Sequence, residues 1–121
     1  MTVPDIPDGM CQRTIQISNT HGELDVIILE PWVDEIRILV GDIVEIRGVG
    51  PVEGAVIEVD EIERGRVVWG WPGALLHVSV NGEPRETYSA KKVPPGFPAG
   101  MTFRDFFKLL RLTDSPDPPK S

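Results

Sequence analysis

The sequence contains few side chains whose types and spacing could support catalysis. Ser18, His21 and Asp25 are the residue types of a nucleophile, its base and an orienting acid, and they lie close together in the chain. A serine nucleophile needs a sharp strand–turn–helix elbow to expose its hydroxyl, and no such pattern surrounds Ser18. The sequence also shows no phosphate-binding loop, zinc knuckle or dinucleotide fingerprint. We therefore assign no catalytic residue, no metal ligand and no cofactor.

Carboxylates are concentrated in one short stretch that includes Glu58, Asp60, Glu61 and Glu63. Calcium prefers about six to eight oxygen ligands, but the spacing of these four acids matches no calcium-binding loop. Acids that alternate with apolar residues are typical of a solvated strand edge. Paired carboxylates can also cleave glycosidic bonds, but any acidic domain offers such pairs. The acidic stretch therefore indicates a polar surface more than a reaction centre.

Two tryptophans, Trp69 and Trp71, stand one residue apart in the run VVWGWPG. In a strand both rings would lie on one face, because side chains alternate, and Gly70 would leave the opposite face open to a close neighbour. If exposed, the rings could form a ligand platform that stacks on a sugar or a proline-rich peptide. If buried with Trp32, they would fill much of the interior, since each aromatic ring buries about 150–250 Å². We favour packing in the core or at its edge, and keep a platform of all three tryptophans as the alternative.

The segment at residues 101–112 has the spacing of an amphipathic helix, and Thr102 and Asp105 occupy the positions of a capping box. A helix of this length is not stable alone in water, so it must dock on another surface. Its apolar stripe consists of Phe103, Phe106, Phe107 and Leu110, and its basic face of Arg104, Lys108 and Arg111. We expect this helix to fold back over the open end of the domain. The alternative is an arm that binds a partner or a second copy of the chain.

The rest of the sequence is a series of short β-type runs separated by turn signals. The runs cover 14–18, 24–30, 35–39, 42–48, 55–60, 66–71, 75–80 and a segment after Gly82. Hairpins are predicted at Gly41-Asp42, Glu63-Arg64-Gly65 and Asn81-Gly82. Seven or eight strands at this spacing, with no intervening helix, predict an all-β fold. We expect an antiparallel β-sandwich of the Ig-like or cupredoxin-like kind with a short C-terminal amphipathic helix.

The same pattern divides the chain into five segments. We expect an irregular N-terminal arm at 1–12, a β-sandwich domain at 13–90 and a Pro/Gly linker at 91–100. The amphipathic helix at 101–112 follows, and the tail at 113–121 is predicted to be disordered because it has nothing to bury.

Charge and cysteine content restrict the classes of partner and compartment. The net charge is −7, and residues 21–65 alone contain twelve acids against three bases. This excess argues against nucleic-acid binding, which requires clustered Lys and Arg. Three cations on the helix are too few to favour a membrane surface. A single cysteine, no signal-peptide pattern and no apolar run of about 20 residues lead us to expect a soluble cytoplasmic protein.

Two resemblances to known protein groups accompany these patterns. The run ILVGDIVEIRG is similar to the strand entry of cupredoxin-like sandwiches, which hold copper with a Cys, His and Met cluster near the C-terminus. Here Cys11 comes first and no such cluster follows, so nothing about copper is carried over. The segments LEPW at 29–32 and GWPG at 70–73 resemble a pattern in small bacterial β-proteins of no assigned activity. That resemblance implies a β fold and no particular function.

We therefore expect a non-catalytic binding or assembly module that engages a protein partner, or a second copy, through the C-terminal helix or an acidic sheet face. Two alternatives remain. The first is a small ligand-binding protein or enzyme with a pocket near Trp69 and Trp71. The second is an acidic inhibitor of a basic partner, which the charge of residues 21–65 would suit.

Overall fold

The computed structural model describes residues 8–93, which form eight strands and one 3₁₀ turn at Tyr88–Ala90. The strands are β1 Met10–Ser18, β2 Val26–Glu30, β3 Asp34–Arg37, β4 Ile43–Pro51, β5 Glu58–Ile62, β6 Gly65–Trp69, β7 Leu75–Val80 and β8 Glu83–Arg85. Strand β1 begins at Met10, inside the predicted arm, because its pairing with β4 extends to Pro51. The predicted helix, most of the linker and the C-terminal tail lie outside the described residues.

The strands are arranged in two four-stranded sheets. The first has the order β1-β4-β7-β8 and the second the order β3-β2-β6-β5. Most neighbours are antiparallel, as predicted, but β2 and β6 pair in parallel. Parallel neighbours need a long crossover, and the chain between them supplies one by running through β3, then β4 in the other sheet, and then β5. The expectation of a purely antiparallel arrangement is therefore wrong at this pair.

The three predicted turns have different outcomes. Asn81-Gly82 joins the paired strands β7 and β8, and both residues have the positive φ (53° and 84°) that a tight two-residue hairpin requires. The turn through Arg64, which has φ 56°, likewise joins the paired strands β5 and β6. Gly41-Asp42 instead connects β3 of one sheet to β4 of the other. It reverses the chain without forming a hairpin, because local turn residues do not determine which sheet the next strand enters.

One apolar core lies between the sheets and draws on both of them. Alternation along β4 places Val44 and Ile46 on the inner face, where both are fully buried. The other core residues are Leu24, Ile27, Leu29, Ile36, Ile38, Val68, Leu76, Val78 and Val80. The described residues therefore form a mostly β, sandwich-like fold, and they include no helix long and apolar enough to cross a membrane.

A buried amide joins the loops at one end of the two sheets. The Asn19 side chain is 2% exposed. Its Nδ2 donates to the carbonyl oxygens of Leu24 and Leu39, each at 2.9 Å, and its Oδ1 accepts from the Leu24 N–H at 2.9 Å. Since Leu24 precedes β2 and Leu39 follows β3, this one side chain satisfies backbone groups on both sides of the corner.

Candidate functional site

The outward side of the second sheet carries the most distinctive surface in the described part of the chain. Because Ile27, Leu29 and Val68 point into the core, their neighbours along β2 and β6 point outward. We call this surface the acidic outer face. Its residues are Val26, Ile28, Glu30, Glu35, Arg37, Glu58, Asp60, Ile62, Val67 and Trp69.

The centre of the acidic outer face is apolar. Ile28 of β2 and Val67 of β6 are directly paired across the parallel ladder, and Val26 lies on the same side of β2. All three are only partly buried. Half-buried aliphatic side chains on an outer strand face are suited to contact another apolar surface, since each buried CH₂ contributes about 0.8 kcal/mol.

Carboxylates surround this centre, and they are concentrated around one indole ring. Trp69 is paired with Glu30 on β2 and with Glu58 on β5, and its Nε1 donates to Oδ2 of Asp60 at 3.1 Å. Among the described residues, the acidic outer face contains four carboxylates, the fourth being Glu35, and the guanidinium of Arg37.

The outer side of the first sheet is more polar. It presents exposed polar residues, among them Thr14, Gln16, Glu45 and Arg47. His77 stands opposite Arg47 across the β4–β7 ladder. Partial burial, and to a smaller extent the Arg47 charge, lower the pKa of His77 below its ordinary value. This side also has an apolar pair, because Val49 of β4 and Leu75 of β7 face each other across the same ladder and both are partly buried.

In the structure, Trp69 and Trp71 do not share a strand face, and they contact different residues. Strand β6 ends at Trp69, so strand alternation does not extend to Trp71 and the prediction of one shared face is wrong. Trp71 is fully buried, and its Nε1 donates to the Pro51 carbonyl of the other sheet at 2.8 Å. Its ring also occupies the space beside Gly48, where an added Cβ would lie 2.6 Å from Cζ3. Trp69 is 6% exposed. Neither ring is free to stack on a ligand.

Trp32, the third platform candidate, is half-buried and joins two distant segments. Its ring lies over Gly70, where an added Cβ would be 2.7 Å from Cη2, and its Nε1 donates to the Lys92 carbonyl at 2.8 Å. The Gly70 N–H in turn donates to the Glu30 carbonyl at 3.1 Å. The LEPW and GWPG segments are thus in direct contact, and Trp32 also holds the end of the described chain.

An open cavity of about 260 Å³ lies beside this junction rather than near Trp69 and Trp71. Its lining is Asp34, Glu86, Thr87, Tyr88 and Lys91. The buried Asp34 carboxylate accepts the backbone N–H groups of Tyr88 at 3.1 Å and Ser89 at 2.8 Å. Sequence reasoning missed this site, because no local pattern relates Asp34 to residues more than fifty positions away.

The remaining candidates divide between the described and undescribed parts of the chain. The proposed partner-binding residues of the C-terminal segment lie outside residues 8–93. They are Phe103, Arg104, Phe106, Phe107, Lys108, Leu110 and Arg111. Within residues 8–93, no group of three or more His, Cys, Asp or Glu side chains is placed to hold a metal ion.

Comparison of the chain with protein-family models, curated proteins and solved structures gave no match. The resemblance of the LEPW and GWPG segments to small bacterial β-proteins therefore stays a prediction. Among the surfaces of the described residues, the acidic outer face is the best defined.

Proposed function

We propose that this chain is a non-catalytic binding or assembly module that engages a protein partner through its acidic outer face, its C-terminal amphipathic segment, or both. We further propose that the module is an Ig-like or cupredoxin-like sandwich. The observation that supports the function best is the apolar pair Ile28 and Val67 set among four carboxylates. A protein segment with apolar side chains flanked by Lys or Arg is complementary to such a surface.

The two parts of this surface would contribute differently to binding. Burial of the apolar centre supplies most of the affinity, since removing aliphatic surface from water is favourable at about 25 cal/mol per Å². The carboxylates supply orientation and speed of encounter, and their effect weakens as salt screens them over about 8–10 Å. A partner of this face therefore dissociates more readily at high ionic strength, without losing all affinity.

A matched pair of charge reversals tests the proposal. Glu58 lies on the acidic outer face, and Glu45 occupies an outward position on the first sheet. Full-length wild-type protein, Glu58→Lys and Glu45→Lys would be immobilised, and each would capture proteins from extract of the source cell at low and high salt. We expect one captured protein to be retained by wild type and Glu45→Lys, lost from Glu58→Lys, and released by salt. A captured protein that Glu58→Lys retains as well as wild type does would contradict the proposal.

An acidic inhibitor of a basic partner is a special case of the same surface chemistry. It would be recognised by loss of the captured partner's own activity when the two proteins are mixed. A small-ligand site has a separate observation in its favour, the cavity of about 260 Å³ beside Asp34 and Tyr88. Native mass spectrometry of the protein from its source cell would reveal a bound small molecule as a discrete mass increment.

A further inference from the structure

We propose that β1 pairs with β1 of a second copy of the chain, so that the first sheets of two molecules join into one continuous sheet. Strand β1 ends the order β1-β4-β7-β8, and within residues 8–93 no strand pairs with its other side. We call that side the open edge. The pairing is antiparallel and two-fold symmetric, with Thr14 on the axis. It is separate from the acidic outer face, which belongs to the other sheet.

The register between β1 and β4 determines which backbone groups face the open edge. At one end of the ladder the Val52 N–H donates to the Gly9 carbonyl at 2.8 Å. At the other end the Asn19 N–H donates to the Asp42 carbonyl at 2.8 Å. Hydrogen-bonded pairs alternate along an antiparallel ladder, so the odd-numbered residues of β1 exchange bonds with β4. The N–H and C=O groups that point to the open edge are those of Met10, Gln12, Thr14, Gln16 and Ser18.

The open edge is accessible to another strand. The side chains of Gln12, Thr14 and Gln16 are exposed. The Gln12 carbonyl accepts from the guanidinium of its exposed neighbour Arg13 at 3.1 Å. A backbone N–H of a second strand can replace this guanidinium with little net loss, because one hydrogen bond is exchanged for another.

Among the four sheet edges of the described residues, β1 alone lacks the features that keep strands apart. Natural edge strands are protected by charge, proline or short length. Strand β8 has three residues with Pro84 at its centre, β3 has four residues of which three are charged, and β5 contains three acids. Strand β1 is nine residues long, contains no proline and has Arg13 as its one charged residue. Its edge is therefore open to strand addition.

The sequence of β1 is complementary to itself when two copies are centred on Thr14. This register aligns all nine residues of both strands. All the residues that point to the open edge then form hydrogen-bonded pairs, with about ten backbone bonds, a number typical of a stable interface. These pairs are Thr14 with Thr14, Gln12 with Gln16, and Met10 with Ser18.

Charge also favours a second copy at this edge. Arg13 faces Ile15 of the other strand in this register, so no like charges stand directly opposite each other. The chain has a net charge of −7, yet β1 contains no carboxylate. Two acidic molecules can therefore approach through β1 with less repulsion than through the carboxylate-bearing edges at β3 or β5.

Sedimentation velocity of the purified full-length protein over a range of concentrations tests the pairing. We expect wild type to change from monomer to dimer as its concentration rises. Thr14→Pro removes the central N–H of each copy and thus two hydrogen bonds, so the dimer dissociation constant should rise at least about tenfold. The monomer should still fold, because this N–H does not bond to β4 and proline is tolerated where an edge N–H faces solvent.

Charge variants test the register. Thr14→Glu places two carboxylates opposite each other on the axis and should weaken the dimer about fivefold, whereas Arg47, opposite on β4, favours the glutamate in the monomer. Thr20→Glu makes the same change at an exposed position beyond β1 and should dimerise like wild type. The double variant Gln12→Glu with Gln16→Lys places opposite charges across both outer pairs. It should dimerise at least as tightly as wild type.

Four results would overturn the proposal. Wild type that stays monomeric at every concentration would mean that the open edge does not pair. A dimer that neither Thr14→Pro nor Thr14→Glu weakens would place the contact elsewhere, and equal weakening by Thr20→Glu would make the effect one of net charge. A weaker dimer in the double variant would refute the register. Circular dichroism reports whether Thr14→Pro folds, and Thr14→Glu is decisive if it does not. Because only the purified chain is measured, failure to capture a partner on the acidic outer face leaves this result intact.

Discussion

Replacing Asn19 with aspartate should show how much the hydrogen bonds of this side chain, as distinct from its shape, contribute to the stability of the fold. The substitution keeps the size and the acceptor for the Leu24 N–H, but it removes the Nδ2 donor to the carbonyl oxygens of Leu24 and Leu39. A buried polar group left without its partner costs about 1–3 kcal/mol. Two such carbonyls facing a new carboxylate predict a loss of about 2–5 kcal/mol in the free energy of unfolding.

Thermal and urea denaturation measure this loss directly. For a domain of this size, about 1 kcal/mol lowers Tm by roughly 4–8 °C, so Asn19→Asp should lower it by at least about 8 °C. Gln12→Glu is the matched control, since it makes the same amide-to-acid change at an exposed position of β1. We expect it to shift Tm by less than about 2 °C, because surface substitutions usually change stability by less than about 0.5 kcal/mol.

The pH dependence of Asn19→Asp provides an independent check. Burial against two carbonyls raises the pKa of the introduced carboxyl above its unfolded value of about 3.9. The destabilisation should therefore be smallest below that unfolded pKa and should increase as pH rises through the folded pKa. A difference from wild type that does not change with pH, or a Tm equal to that of Gln12→Glu, would refute the role assigned to the Asn19 amide.

Three further predictions concern contacts made by side chains at the edges of the sheets. Trp32→Phe keeps a ring over Gly70 but loses the donor to the Lys92 carbonyl. Hydrogen exchange at the Lys92 amide should therefore accelerate, and the free energy of unfolding should fall by about 1 kcal/mol. Unchanged exchange at Lys92 would contradict this. Gly70→Ala places a Cβ 2.7 Å from Trp32 Cη2, so it should displace that indole. The Trp fluorescence should shift to the red, and the free energy of unfolding should fall by about 1–3 kcal/mol. An unaltered spectrum would argue against the contact. Hydrogen bonds from Arg64 lower the pKa of Asp25 in the folded protein, so Asp25 contributes stability above its unfolded pKa that is lost as pH falls. Arg64→Gln should raise the folded-state pKa of Asp25, as measured by NMR titration. An unchanged pKa would count against the ion pair.

The difference between the two outer faces bears on how the chain avoids unwanted association. The first sheet exposes polar side chains such as Gln16 and Arg47, which keep an outer strand face in water. The second sheet exposes Ile28 and Val67 in part, and surrounds them with carboxylates. Like-charged rims disfavour contact between two copies of that face, because carboxylates would oppose carboxylates. If this face binds a partner, as we propose, a basic counterpart is therefore favoured over a second copy of the same face.

Features that depend on neighbours a few residues apart could be predicted from the amino-acid sequence. Alternation placed Val44 and Ile46 inward, and the Asn81-Gly82 dipeptide specified the β7–β8 hairpin, because positive φ at both positions is open to Asn and Gly at low cost. The run at 75–80 was predicted with the bounds that the structure gives to β7. These rules are local, so they can be applied without knowing the rest of the fold.

Tertiary structure decided which strands meet and therefore where the surface lies. The acidic outer face exists because β2 and β6 pair in parallel after a long crossover, and no pattern in either strand encodes that pairing. Gly41-Asp42 has the sequence of a hairpin but changes sheets, and Asp34 binds backbone groups more than fifty residues away. Pairings of this kind are settled by how much apolar surface the whole chain can bury at once. That quantity belongs to the complete arrangement of strands rather than to any one segment.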